Sequence, residues 1–388
     1  MPNRIRRIAL YTALVALLFA VCPSARLFSA QGLAKKQSEF FDELSRHFAQ
    51  WDTDHDGELS SAEIDSLIVN PKITGKDAAV AVVLKRIQNK DKWQLPSLTG
   101  QALQGFAQTA PGANSALPDF GMLYGLALRH VEKADRDLFG GIMPSLATLH
   151  QGRLGDCFFL APLGALVNRN GQAIREMISV HADGSYEVKF GSGRSVTIPK
   201  LTDAEIALTS SDGKGGLWLN VMENAYATVR NELRPEDKQV EESIDAIAHG
   251  GTSGPVIRLF TGHDIIHIAA HPKVPAGSNP SDEQLEQHLA KLRATIGSAI
   301  ADHRLICVGS PKQTSTPGIT PSHCYAILNL DPRTDNVEIW NPHGNHFKPK
   351  GSPGLETGYV TDGGRFTVPL IDFTKIFTGI HCEAPAKP

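Results

Sequence analysis

The sequence predicts an α+β protein: a small helical module, then a larger unit joining a mostly helical half to an antiparallel β half. Three observations predict it. Phe40, Phe41, Leu44 and Phe48 recur at helical spacing near the N-terminus. An apolar run after Asp156 is continuous enough for a buried helix. Roughly the last hundred residues alternate apolar and polar, as in Cys324–Leu328 and Val337–Trp340, which is the pattern of an antiparallel sheet.

Composition narrows the function. The chain has 388 residues, with 38 Lys+Arg against 41 Asp+Glu and a formal net charge of −3. No basic field is available to hold a phosphate backbone, so no nucleic-acid partner is expected. With 41% hydrophobic and 20% charged residues the chain is not disordered as a whole. Five cysteines are too few for a disulfide scaffold.

Arg4, Arg6 and Arg7 precede an apolar run from Ile8 to Cys22, and small residues follow at Ser29 and Ala30. This is the pattern of a signal peptide over residues 1–30. The run falls short of the about 20 apolar residues of a membrane span. The expected product is therefore exported (periplasmic, cell-surface or secreted), with no stable membrane span after cleavage. Phe28 is bulky three residues back from a cut after Ala30, which leaves the cleavage position open. Cys22 raises a lipid anchor, against which Val21 just before it is a poor match.

Residues 31–92 are expected to form a helical module around the loop Asp52–Glu63. Calcium takes six to eight oxygens, and a 12-residue loop supplies them from positions 1, 3, 5, 7, 9 and 12. Asp52, Asp54 and Asp56 fill the first three places, Glu58 offers its backbone carbonyl, Ser60 a hydroxyl or bridging water, and Glu63 a bidentate carboxylate. Gly57 permits the sharp turn and Leu59 packs inward. The stretch resembles an EF-hand loop and predicts bound Ca2+ as a constitutive structural ion. The alternative is a solvated acidic turn. No convincing second loop follows; Asn70–Asp77 is the nearest remnant of one. Residues 93–140, rich in Leu, Thr, Gly, Gln, Ala and Pro, read as a linker with a further helical segment.

Residues 141–270 form the expected helical half, and Cys157 is its chemical feature. Asp156 is a favoured N-cap residue, which puts Cys157 in the first helical turn, where backbone amides favour the thiolate. Gly152 and Gly155 allow a tight turn ahead of it. Gln151 is placed to donate its side-chain amide to a developing oxyanion. A lone buried cysteine at a helix start is the ordinary alternative.

Residues 271–388 form the expected β half. A cysteine nucleophile needs a base and an orienting group. Ser322–Asn329 alternates like a strand, Asp331–Thr334 is turn chemistry, and Asn336–Asn341 reads as the returning strand. If Asn329 pairs with Asp335, His323 faces Asn341; if Leu330 does, the partner slips to Pro342. Either register brings the imidazole and the amide together.

Gln151-Gly-Arg-Leu-Gly-Asp-Cys157, His323-Cys-Tyr325 and Asn341-Pro-His-Gly344 together resemble the calpain family of papain-like cysteine proteases. Trp218, Glu223-Asn-Ala-Tyr226, Asp245–Gly251, Leu259–Gly262, Gly363–Phe366 and Asp372–Phe377 match in the same order, so the likeness runs from about residue 140 to 384. The resemblance implies a papain-like core of two lobes with the cleft between them, acting on protein or peptide substrates. It implies Cys157 as nucleophile, His323 as proton shuttle, Asn341 as the group orienting the ring, and Gln151 with the Cys157 backbone N–H as oxyanion donors.

Four departures stand out. Phe158 follows the cysteine where the family has Trp. Pro162 sits early in the helix. His343 replaces the tryptophan that shields the His–Asn hydrogen bond. Asn345-His-Phe-Lys348 lacks the acidic residues of the family's calcium switch in the β lobe, so that switch is not expected here. The leading expectation is an exported calcium-associated endopeptidase. Alternatives are a weak or dead core serving as a binding scaffold, or an acyltransferase using the same triad. Among the other cysteines, Cys307 and Cys324 read as packing, with a disulfide among Cys307, Cys324 and Cys382 left open. Oligomeric state is not legible.

Overall fold

A computed structural model describes residues 30–88, 93, 97–110, 117–210, 213–240, 242–275 and 278–386. The expected leader lies outside the described residues, apart from Ala30 at its end. Among the described residues no helix is long and apolar enough to cross a membrane. The chain divides into two compact units, one of residues up to 67 with 73–130, the other of residues 68–72 with 131–388.

The first unit is helical: α1 (Ala30–Trp51), α2 (Ser61–Ile68), α3 (Gly75–Gln88), α4 (Gly100–Ala107) and most of α5 (Phe120–Lys133). The aromatic stripe of α1 is its core. Phe40 stacks on Phe120 with ring centroids 5.5 Å apart, and Phe106 stacks on the same ring at 5.6 Å. Within residues 93–140, expected as a linker with a further helical segment, the described residues hold two packed helices, α4 and most of α5. Their loop-like composition hides a start signal, since the Thr99 hydroxyl accepts the Ala102 N–H and caps α4.

The second unit opens with α6 (Cys157–Met177). This helix passes through Pro162 and breaks at Asn170 instead. A three-stranded sheet follows, in the order β1 (Ile178–Val180), β2 (Tyr186–Lys189), β3 (Ser195–Ile198). Then come α7 (Asp203–Leu208), α8 (Trp218–Glu232) and α9 (Ser253–Thr261). Thr202 and Glu205 form a reciprocal capping box on α7.

The β half is a six-stranded sheet, entirely antiparallel, in the order β4-β9-β5-β6-β7-β8. Its strands are β4 (Ile265–Ala269), β5 (Ile306–Gly309), β6 (Cys324–Asp331), β7 (Asn336–Trp340), β8 (Arg365–Pro369) and β9 (Gly379–Glu383). Helices α10 (Asp282–Ala301) and α11 (Leu370–Ile376) complete it. Leu292 and Ile296 of α10 pack with Val308, Tyr325, Ile339 and Phe373 in one buried cluster. Because β4 pairs with β9, the sheet starts before the boundary expected at residue 270. The two halves of this unit meet where α6 crosses the sheet. Gly164 lies so close to Trp340 that a Cβ there would sit 2.2 Å from the indole ring.

Candidate active site

Cys157 stands in the first turn of α6 and lines a cleft of about 710 Å3 together with Gln151, His323, His343 and Gly251. The turn ahead of it is tight for a physical reason. Gly155 donates its N–H to Ala248 O at 3.0 Å, and a Cβ at Gly155 would lie 2.4 Å from that oxygen. Phe158 is buried beneath Gly251, with the Arg230 guanidinium 4.5 Å above its ring.

Asp156 occupies the N-cap position of α6 but its side chain makes no capping bond. Its carboxyl is buried and takes the Gln151 side-chain amide at 3.1 Å instead. Gln151 gives its other amide hydrogen to Leu154 O at 2.9 Å. The Gln151 backbone N–H donates to Pro342 O at 2.8 Å, tying the loop before the cysteine to the turn after Asn341.

His323 lies one residue before β6, preceded by Ser322 in the left-handed region at φ +49°. Its backbone N–H donates to Ser310 Oγ (3.0 Å) and its carbonyl accepts the Ser310 N–H (2.9 Å). On the ring, Nε2 donates to Asn341 Oδ1 at 2.8 Å. The same oxygen accepts the His343 backbone N–H at 3.0 Å, and Asn341 Nδ2 donates to Asn345 Oδ1 at 3.0 Å, so the amide has one orientation. With Nε2 occupied, Nδ1 is the open base.

The hairpin register differs from both expected pairings. Ala326 pairs with Trp340, and Asp331 with Asn336, with an irregularity between Ile327 and Asn329. Continued past the strand ends, this register puts His343, not Asn341, opposite His323. The two imidazoles are indeed stacked, ring centroids 4.3 Å apart and planes 23° from parallel. The sequence carried no signal for this stack or for the Asn345 contact beyond the substitution at position 343.

The electrostatics describe a neutral resting pair. Burial pushes the Cys157 thiol up to about 12, and the backbone N–H groups of Cys324 and Phe158 do not offset it. Burial, then His343, takes His323 down to about 3. The helix terminus was expected to favour the thiolate; here the desolvation of the buried sulfur opposes it and is the larger effect. Cys324 is buried, as expected, yet it borders Cys157. Cys157, Cys307, Cys324 and Cys382 are all free thiols, so none of the disulfides left open above is formed.

Across the cleft Ser253 Oγ of α9 meets His381 Nδ1 of β9 at 2.8 Å. A second cavity of about 610 Å3 adjoins there, sharing Thr252, His267 and His381, with Phe158, Tyr226 and Val229 on its apolar wall.

In the first unit, Asp52, Asp54 and Glu63 bring carboxylate oxygens within 4.8 Å of one another. Gly57 turns the loop at φ +86°, and Asp52 accepts the N–H groups of Asp56 (3.1 Å) and Gly57 (3.0 Å). Glu63 takes the Ser60 N–H and hydroxyl, each at 2.9 Å, and the Thr53 N–H. Burial opposes its charge, but these bonds prevail and hold it at about 2. The donor set of hard carboxylate oxygens fits a calcium ion. Asp56, Glu58 and Ser60 fill the intervening positions of the same loop.

Comparison with known proteins agrees with the second unit. The family described as calpain family cysteine protease matches residues 136–354, more than half of the chain. Calpain-type cysteine protease ADL1 of Oryza sativa subsp. japonica is 26% identical over 228 residues, covering 55% of this chain and 10% of that protein. DEK1 of Zea mays is 25% identical over the same length and shares of each chain. Calpain-13 of Rattus norvegicus is 22% identical over 244 residues, 56% of this chain and 32% of its own length. The chain therefore spans a third or less of the relatives it matches. By the extent of the family match, the chain belongs to the calpain family of cysteine proteases.

Proposed function

We propose that the chain is an exported cysteine endopeptidase using Cys157, His323 and Asn341, with Gln151 as oxyanion donor. The observation that carries this reading is the His323 Nε2–Asn341 Oδ1 bond of 2.8 Å, which leaves Nδ1 free on the wall of the cleft that holds Cys157. His323 Nδ1 takes the thiol proton as Sγ attacks the peptide carbonyl carbon. The carbonyl oxygen, now negative, draws N–H donors from the Cys157 backbone and Gln151. The amine leaves with the proton from His323, and a thioester remains on Cys157. Water, deprotonated by His323, then releases the acid and restores the thiol.

Calcium belongs to the same proposal. Asp52, Asp54, Asp56, Glu58, Ser60 and Glu63 would hold it, and when bound it neutralises their charge and stiffens the loop. Export follows from the leader read in residues 1–30.

A second reading, a binding scaffold on an inactive core, is favoured by one observation: an imidazole, His343, and not an indole, covers His323 and its bond to Asn341. Casein cleavage by wild type and Cys157→Ala separates the two. The endopeptidase reading expects cleavage by wild type alone; the scaffold reading expects it from neither.

A further inference from the structure

Asp156 and Glu223 are both fully buried, the first at the start of α6 and the second on α8. Among the described residues the groups that act on them are each other, Gln151 and Ser210, with no cation among them. Asp156 Oδ1 accepts the Gln151 amide at 3.1 Å, and Glu223 Oε2 accepts the Ser210 N–H at 2.8 Å. Each carboxyl keeps one further oxygen, Asp156 Oδ2 and Glu223 Oε1, buried and without a hydrogen-bond donor. Two carboxylates side by side in a site without counter-charge do not both ionise. One proton between the two orphan oxygens satisfies both at once.

We propose that Asp156 and Glu223 share a single proton between Oδ2 and Oε1, and that Glu223 thereby serves as a positioning residue for Gln151. The inference rests on the reading of Gln151 as the oxyanion donor. Burial opposes charge on both groups, so the pair holds one proton and one negative charge between them. With the shared proton at Oδ2, Asp156 Oδ1 only accepts, so it dictates that the nitrogen end of the Gln151 amide faces it. That leaves a tether and a mobile hydrogen. The bond to Asp156 stays in place, while the hydrogen resting on Leu154 O moves to the substrate oxygen. Ser210 ties the same cluster to the backbone, since its Oγ accepts the Gly152 N–H at 2.9 Å. Without Glu223, Asp156 must take up a proton itself or hold an unpaired buried charge, and the amide loses its fixed end.

The test uses the full chain with Glu223→Gln and Glu223→Met. The glutamine amide supplies an N–H to Asp156 in place of the shared proton; methionine supplies none. Glu223→Gln is expected to keep kcat close to wild type. Glu223→Met is expected to lose up to about 10²-fold in kcat, the scale of one oxyanion donor, with KM little changed. Gln151→Ala, added to Glu223→Met, is expected to cost nothing more, because the two act as a unit. Infrared spectra at neutral pH should show the carbonyl band of a protonated carboxyl in wild type that disappears in Glu223→Gln. Wild-type kcat in Glu223→Met, equal damage from both substitutions, or no band lost in Glu223→Gln overturns the proposal. The infrared result decides it even if Glu223→Met does not fold or the protein proves inactive. Failure of the endopeptidase reading registers separately, as equal cleavage by wild type and Cys157→Ala.

Discussion

The imidazole of His343 lies on the imidazole of His323 with centroids 4.3 Å apart, in the place where related proteases keep an indole. The stack covers the ring whose Nε2 bonds Asn341, and with it that hydrogen bond. Removing the cover admits water to a bond that works best in a dry setting. His343→Ala is expected to lower kcat/KM roughly ten- to hundredfold through loss of ring orientation. His343→Trp is expected to restore it. Steady-state kinetics on a peptide substrate check both, and unchanged kinetics in His343→Ala would show that the stack has no catalytic part.

Burial of His323 also predicts an acid-sensitive fold. Its folded pKa is about 3 against an ordinary 6.5, so the unfolded chain binds more protons between those values. Stability from the neutral ring is therefore complete above pH 6.5 and declines as pH falls toward 3, by up to roughly 1 kcal/mol per pH unit for this one group. Denaturant titrations across that window should show a shallower pH slope for His323→Gln than for wild type. Equal slopes would place the acid sensitivity elsewhere.

Gly164 faces the Trp340 indole so closely that a methyl group would meet it at 2.2 Å. Gly164→Ala must push helix α6 or the indole aside, and overpacking of this kind costs about 1–3 kcal/mol. A lowered melting temperature is expected, with kcat falling as well, because Cys157 rides on that helix. No change in melting would mean that the helix–sheet junction yields freely.

For the acidic loop, a calcium titration should release heat and raise the melting temperature. Glu63→Gln removes a carboxylate that is charged at neutral pH and should abolish both effects. No heat and no shift in wild type would leave the loop as a solvated turn held by its own amides.

Much of the candidate site was legible because its motifs are local. Gln151 and Cys157 sit within one short segment, and His323 and Asn341 sit on the two arms of one hairpin. The hairpin register was not legible. The irregularity between Ile327 and Asn329 shifts the pairing, which no alternation pattern displays. Asp156 was read as a cap because capping is a neighbour effect, whereas its buried partner Glu223 is brought to it by tertiary packing of α8. Residues 120–133 carry enough apolar residues to read as a helical segment, but residues 100–107 looked like a linker because small and polar residues dominate there. What orders them is the distant aromatic pair Phe40 and Phe41, which Phe120 completes. The burial of the thiol was not legible for a similar reason. Helix-end amides are visible in sequence, but the desolvation that opposes them comes from distant residues.

The nucleophile is tested most directly by a peptidyl epoxide followed by mass-spectrometric mapping. Because the resting thiol is held neutral, a probe that fills the cleft is expected to label it far faster than plain iodoacetamide does. Wild type should carry one adduct, on Cys157, and lose casein cleavage as it forms, whereas Cys157→Ala should carry none and cleave nothing. An adduct confined to another residue, or cleavage that survives complete labelling of Cys157, contradicts the assignment.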